Sequence, residues 1–243
     1  MNEFSLVILF SFLPAIGTFT GGTIAEFFKI SRQTYSLALH AATGIIFAVI
    51  SVVLIPQALK ATTPWLVILA FILGGIFFIT IDRFINFVQG RIGGDQSTAA
   101  WAIFFGVAVD SLIDGLMIGT GAVINIELGL FVALGVVSAD IPEGFANIAA
   151  FKEKGIKRNM RIVLNFLASL PVLLGASAGY FIVKGQPVIF EYIILAFAAG
   201  MLLTITAEEI IPESHRNGEA RLAALVLILG FALFTLISTY LNI

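Results

Sequence analysis

The sequence predicts an all-α integral membrane protein of eight transmembrane helices, and three observations carry that prediction. The 243 residues are 59% hydrophobic and only 12% charged, with a mean hydropathy of +1.06, whereas water-soluble domains carry about a quarter charged residues. Eight apolar stretches each approach the roughly 20 residues that a hydrocarbon core of about 30 Å requires. The connectors between them are short. Residues 1–243 are therefore expected to form one transmembrane domain.

The spans follow in order. The first, Ser5–Phe28, lacks the charged start and small-residue cleavage site of a signal peptide and is read as a helix that stays. The second and third are Tyr35–Leu59 and Trp65–Val88. The fourth, Thr98–Ile124, and the fifth, Leu128–Phe151, are joined so tightly that they must run antiparallel as neighbours. The last three are Ile162–Val183, Val188–Ile211 and Leu222–Leu241. Gly17 with Gly21, Gly115 with Gly119, and Gly175 with Gly179 have the spacing that lets helix backbones approach closely. No internal repeat is evident in the sequence.

Charge sets an expected orientation. The connectors after spans one, three, five and seven hold Lys29, Arg32, Arg83, Arg91, Lys152, Lys154, Lys157, Arg158, Arg161, Arg216 and Arg221. The opposite side holds Lys60 and Lys184. Basic residues collect on the cytoplasmic side, so both termini are expected to be extracytoplasmic in a multi-pass cell (plasma) membrane protein. The net charge of −2 gives no footing for nucleic acid, and the absence of cysteine excludes disulfides, thiolate metal sites and cysteine nucleophiles.

Against this apolar background stand four central acids. Asp110 and Asp114 lie one turn apart on span four, and Asp140 and Glu143 share a face of span five. Folding the chain about Asn125 brings them to one depth at 1.5 Å rise per residue. A charged acid at mid-membrane costs on the order of 2.5–3.5 kcal/mol. Hydrogen-bonded helix glue explains one such acid better than four at one level. A divalent cation site, hydrated from one side, is the better account. Asn147, one turn beyond Glu143, is a further oxygen candidate, and Pro142 leaves the carbonyl of Ser138 without its helical donor.

A second acidic group, Asp82 at the end of span three with Glu208, Glu209 and Glu213 at the end of span seven, suggests a shallower cation site at the basic end. Of the two histidines, His40 reads as a packed or interfacial residue, and His215 has a weak claim to cation capture.

These residues resemble a known family. "DSLIDGLMIG" and "DIPEGFA" on consecutive spans four and five are similar to the signature helices of the ZIP (Zrt/Irt-like) divalent-metal transporters. "EEIIPESHR", "LALHAATG" and "DRF" resemble its bacterial and archaeal members. The resemblance implies a single transmembrane transporter domain in which helices 1–3 and 6–8 form inverted three-helix repeats around helices 4 and 5. Metal would bind at Asp110, Ser111, Asp114, Asp140 and Glu143, and would leave past Asp82, Glu208 and Glu209. This chain departs from the family pattern in four places. Asp110 stands where a histidine is usual, Ala139 where His or Gln is frequent, and Glu208 where a His is frequent at the exit. Val172 occupies the position of a helix-six Glu that helps to hold a second metal.

The implied function is transport of Zn2+, Fe2+ or Mn2+, with no enzyme activity and no cofactor beside the transported metal. The expected partners are divalent metal ions and the lipid bilayer, with a homodimer open. An oxygen-rich site shifts preference from zinc towards harder ions such as Mn2+. Two other classes compete. A magnesium-dependent intramembrane prenyl or phosphatidyl transferase also uses Asp pairs, but a diphosphate needs Lys or Arg nearby, and none lies between Trp101 and Lys152. A proton or cation channel also uses carboxylates. The chain lacks a G-x-x-x-x-G-K-[ST] motif, so no nucleotide site of that kind powers it.

Overall fold

The computed structural model describes residues 2–29, 31–92, 96–215 and 220–240. Its membrane-length helices are α1 (Glu3–Phe27), α2 (Arg32–Ala58), α3 (Pro64–Ile92), α4 (Gln96–Ile124), α5 (Ile126–Glu153), α6 (Arg158–Val183), α7 (Val188–His215) and α8 (Ala220–Tyr240). All eight are long and apolar enough to cross a membrane, as the sequence predicts. The helices overrun several predicted spans because helical hydrogen bonding continues past the last apolar residue. The predicted end of the last span, Leu241, and the basic residue Arg216 lie outside the described residues.

Polar caps fix where the chain turns. The side-chain oxygen of Asn2 accepts from Ser5 N–H at 2.8 Å, Ser31 Oγ from Thr34 N–H at 3.0 Å, and Asn125 Oδ1 from Glu127 N–H at 2.9 Å. Each satisfies an amide that would otherwise lack a helical partner. Asn125 alone separates α4 from α5, so those two helices are antiparallel. α6 breaks at Ser169 and Leu170, where Pro171 cannot supply the amide that would continue the helix. Pro142 sits inside α5 without ending it.

Two pairings dominate each of two four-helix groups. α1 packs along α5 and α4 along α6 in one, while α2 packs along α8 and α3 along α7 in the other. Contacts of α4 with α5 stay within the first group, and those of α2 with α5 and of α4 with α7 join the groups. Exchanging α1 with α6, α2 with α7, α3 with α8 and α4 with α5 leaves this pattern unchanged. That is the inverted arrangement of helices 1–3 and 6–8 about helices 4 and 5.

The repeat can be read residue by residue. A Cβ on Gly44 of α2 would meet Leu227 O of α8, and one on Gly200 of α7 would meet Phe71 O of α3. In return, Gly74 of α3 lies against Phe197 O and Gly230 of α8 against Ala41 O. All four contacts repeat at one separation of 156 residues, which also relates Phe78 to Phe234 and Pro56 to Pro212. The sequence therefore does contain a repeat. Both α2 and α7 carry a π turn, Val49–Leu54 and Thr206–Ile210, each running straight into an Ile-Pro pair. A proline removes the donor for the carbonyl four residues back, and a widened turn re-routes the bonding in a lipid environment that tolerates few unmet groups.

The two ends of the bundle differ in charge. At the basic end the Glu26 carboxylate is gripped by Arg161 through two contacts of 2.9 and 2.6 Å, with Arg158 at 3.5 Å and Lys152 at 3.9 Å. This ties α1 to the end of α5 and the start of α6. At the other end Lys184 pairs with Glu3 at 3.3 Å, and the Tyr180 hydroxyl donates to the same carboxylate.

Candidate metal site

Two helical stripes converge between the groups. On α4 the stripe runs through Ile103, Gly106, Val107 and Asp110. On α5 it runs through Glu143, Ala146, Asn147, Ala150 and Glu153. With Tyr35 and Leu39 of α2, Asp82 of α3, and Glu209 and Glu213 of α7, they wall a cavity of about 420 Å3. Six carboxylates line it: Asp82, Asp110, Glu143, Glu153, Glu209 and Glu213. Among the described lining residues there is no Lys, Arg or His. Carboxylates along a low-dielectric wall focus a negative potential that draws cations in and keeps anions out. A diphosphate substrate would find nothing to bind it.

Asp110 and Glu143 face each other at the inner end of this cavity, across the α4–α5 interface. Both are half-buried. Beyond them a second pocket of about 10 Å3 lies against Asp114, Ala139, Val49 and Leu202, close to the lower limit for one water-sized guest. Asp114 is 4% exposed and Asp140 5% exposed. Asp140 packs against Gly17 and Thr18 of α1 and does not line the cavity. Ser111 turns towards α6, where its hydroxyl donates to Ala168 O at 3.1 Å.

The structure thus brings Asp110, Glu143 and Asn147 to the same cavity as Asp82 and Glu209. It sets Asp114 one layer deeper and directs Ser111 and Asp140 to neighbouring helices. Glu208, adjacent to Glu209 on the π turn, is exposed and does not line the cavity. The four central acids lie within electrostatic range of one another. Among the described residues, however, no three His, Asp or Glu side chains gather tightly enough to hold a metal ion as they stand. The acids form a string along a path instead.

Two polar lining residues, Glu153 and Tyr35, were not singled out from sequence. Glu153 continues the helical stripe from Glu143 through Ala146 and Ala150, a periodicity visible in the sequence once Glu143 is chosen. Tyr35 lines the cavity with its hydroxyl buried and without a hydrogen-bond partner. Nothing in its local sequence marks it.

Comparison with known proteins agrees with this architecture. Residues 93–238 match the family model described as ZIP Zinc transporter. The zinc transporter ZupT of Chlorobium phaeovibrioides is 29% identical over 97% of this chain and 98% of its own length. The zinc transporter GufA of Myxococcus xanthus is 31% identical over 58% of this chain and 56% of its own length. For the zinc transporter ZIPB of Bordetella bronchiseptica the figures are 28%, 69% and 56%. The chain belongs to the ZIP family, as a multi-pass membrane transporter of divalent metal rather than an enzyme.

Proposed function

We propose that the chain moves Zn2+, Fe2+ or Mn2+ across the plasma membrane into the cytoplasm, through the carboxylate site between α4 and α5. The observation that carries this reading is the cavity that joins Asp110 and Glu143 to the basic end of the bundle, lined by six acids and no base. An ion held by Asp110, Asp114 and Glu143, with Asp140, Ser111 and Asn147 around them, would leave past Asp82 and Glu209. The eleven-to-two distribution of basic residues supports a cytoplasmic basic end and extracytoplasmic termini. The names of the similar proteins support zinc as a substrate. The oxygen-only ligand set supports wider acceptance of Mn2+ and Fe2+ than imidazole ligands would allow.

Competitive uptake into proteoliposomes, with Zn2+, Fe2+, Mn2+, Cd2+ and Mg2+ offered together, tests the proposal. Uptake of the transition metals with exclusion of Mg2+ is expected, because Mg2+ sheds its waters reluctantly. Preferential Mg2+ uptake, or none of any metal, would sink it.

A further inference from the structure

The chain has two histidines among 243 residues, one near the start of α2 and one at the end of α7. The fold brings them together with ring centroids 4.9 Å apart and planes at 64°. His40 is 3% exposed, and His215 is exposed. Each Nδ1 lies 2.8 Å from the carbonyl oxygen four residues back on its own helix, His40 from Ser36 O and His215 from Ile211 O. A carbonyl only accepts, so both rings carry their proton on Nδ1, and the neutral form of each keeps its lone pair on Nε2.

That lone pair has no committed donor at His40. Its Nε2 is 3.4 Å from Ser214 Oγ, but that hydroxyl has one proton and a shorter contact, 2.7 Å, to Ile211 O. Ser214 is fully buried, and Ser36 Oγ donates to its carbonyl, which holds α2 and α7 in register at this point. A backbone carbonyl that fixes Nδ1–H and leaves Nε2 free is the arrangement metal-ligating histidines use. Two imidazoles bound to one ion at about 2.0–2.1 Å in tetrahedral geometry have ring centres roughly 5 Å apart. The observed ring separation of 4.9 Å is of that size, and His40 Nε2 and His215 Nδ1 approach the same Ser214 Oγ, at 3.4 and 3.3 Å.

We propose that His40 and His215 together form a second metal site, of two Nε2 ligands completed by water, for a zinc-class divalent ion. Leu39 and Glu213, one and two residues away, line the acidic cavity, so the pair stands at its edge. An ion leaving oxygen ligands meets nitrogen ligands there. Imidazole favours Zn2+, Cu2+ and Ni2+ over Mn2+ and Mg2+. The site therefore separates Zn2+ from Mn2+, which the oxygen-lined path accepts alike. Its part in transport rests on the proposed function, but its existence does not.

Carbethoxylation of imidazole by diethyl pyrocarbonate tests the site without any transport assay, because a tag-free chain has no other histidine. The D114N/E143Q background removes binding at the central carboxylates. Zn2+ at roughly ten times its Kd should slow modification of His215 about tenfold, while Mg2+ leaves it unchanged. H40Q should abolish the protection. Should H40Q fail to fold, H215Q at the exposed position serves instead, and its Zn2+ stoichiometry by titration calorimetry should fall by one ion. Modification that Zn2+ does not slow, equal protection by Mg2+, or an unchanged stoichiometry in H215Q would overturn the site.

Discussion

α2 and α7 are built to one plan, and they part company where α7 carries its acids. Both carry a glycine at the same level, Gly44 and Gly200, seated on a carbonyl of a neighbouring helix. Both then pass through a π turn into Ile-Pro. Yet where α7 places Glu208 and Glu209, the matching residues of α2 are Val52 and Val53. In the same register Asp82 of α3 answers to Ser238 of α8. The helix geometry is thus satisfied by valine, and the π turn needs no acid. The packing of the helices does not require Glu209 or Asp82 at the basic end, and the proposed function gives them a reason to be there. The opposite end, with uncharged counterparts, has the same framework without these acids.

The largest effect expected from breaking this asymmetry lies in the centre. The contacts of Gly17, Gly21 and Gly144 between α1 and α5 repeat as those of Gly175, Gly179 and Gly119 between α6 and α4. In that correspondence Asp114 answers to Ala139 and Glu143 to Ile118, so this packing too proceeds without acids. Asp114→Asn and Glu143→Gln should each lower metal uptake on the order of 100-fold, about 2.7 kcal/mol, while leaving the protein monodisperse and folded. Uptake at wild-type rates in both would mean that neither acid binds the ion.

A second test addresses the framework itself. In Gly44→Ala and Gly200→Ala the added methyl would meet Leu227 O and Phe71 O respectively. Forcing a methyl into a closed backbone contact costs about 1–3 kcal/mol. Thermal unfolding in detergent should show equal losses for the two variants. Marked inequality would mean that the halves share a shape but not a packing role.

Glu209→Val copies the residue of α2 into α7. It should fold, because Val53 already occupies the corresponding turn, and should lower uptake about tenfold, or 1.4 kcal/mol. Initial rates in proteoliposomes measure this. A variant that transports at the wild-type rate would remove Glu209 from the exit path.

The helix count and the four central acids were legible in sequence because lipid imposes a single solution on both. Apolar length dictates a span, and an acid in the middle demands a reason. The inverted repeat was implied by the family resemblance but was not legible in the residues themselves, although Gly44 and Gly200 sit at the constant separation of 156 residues that relates α2 to α7. Lipid-facing positions accept any large apolar residue, so only glycines, prolines and a few aromatics survive as markers, and the acids differ between the halves. The common depth expected for the four acids holds for Asp110 and Glu143, whereas Asp114 lies one layer deeper, and spacing along a helix does not fix which neighbour each side chain meets. Asp140 and Glu143 are three residues apart, yet Glu143 reaches the cavity and Asp140 packs on Gly17 of α1. Nor could the sequence bring His40 to His215, since their meeting depends on how the start of α2 crosses the end of α7.

The smallest expected effect is the sharpest test of rotation. Glu208 and Glu209 are neighbours, both exposed and both on the π turn, and sequence alone gives them one role. Successive residues of a helix point about 100° apart, and only Glu209 meets Asp82, Asp110 and Glu143 around the cavity. On the proposed function an ion moving along that wall would be held by short-range oxygen contacts, and Glu208 would act on it only through a field that solvent screens. Glu208→Val also copies its α2 counterpart, Val52, so folding should again survive. Its uptake rate should stay within about twofold of wild type, less than 0.5 kcal/mol, beside the tenfold loss in Glu209→Val. Measured side by side in the same vesicles, equal losses in the two variants would show that the exit path runs along both faces of the turn, and that α7 rotates during transport to present Glu208 to the ion.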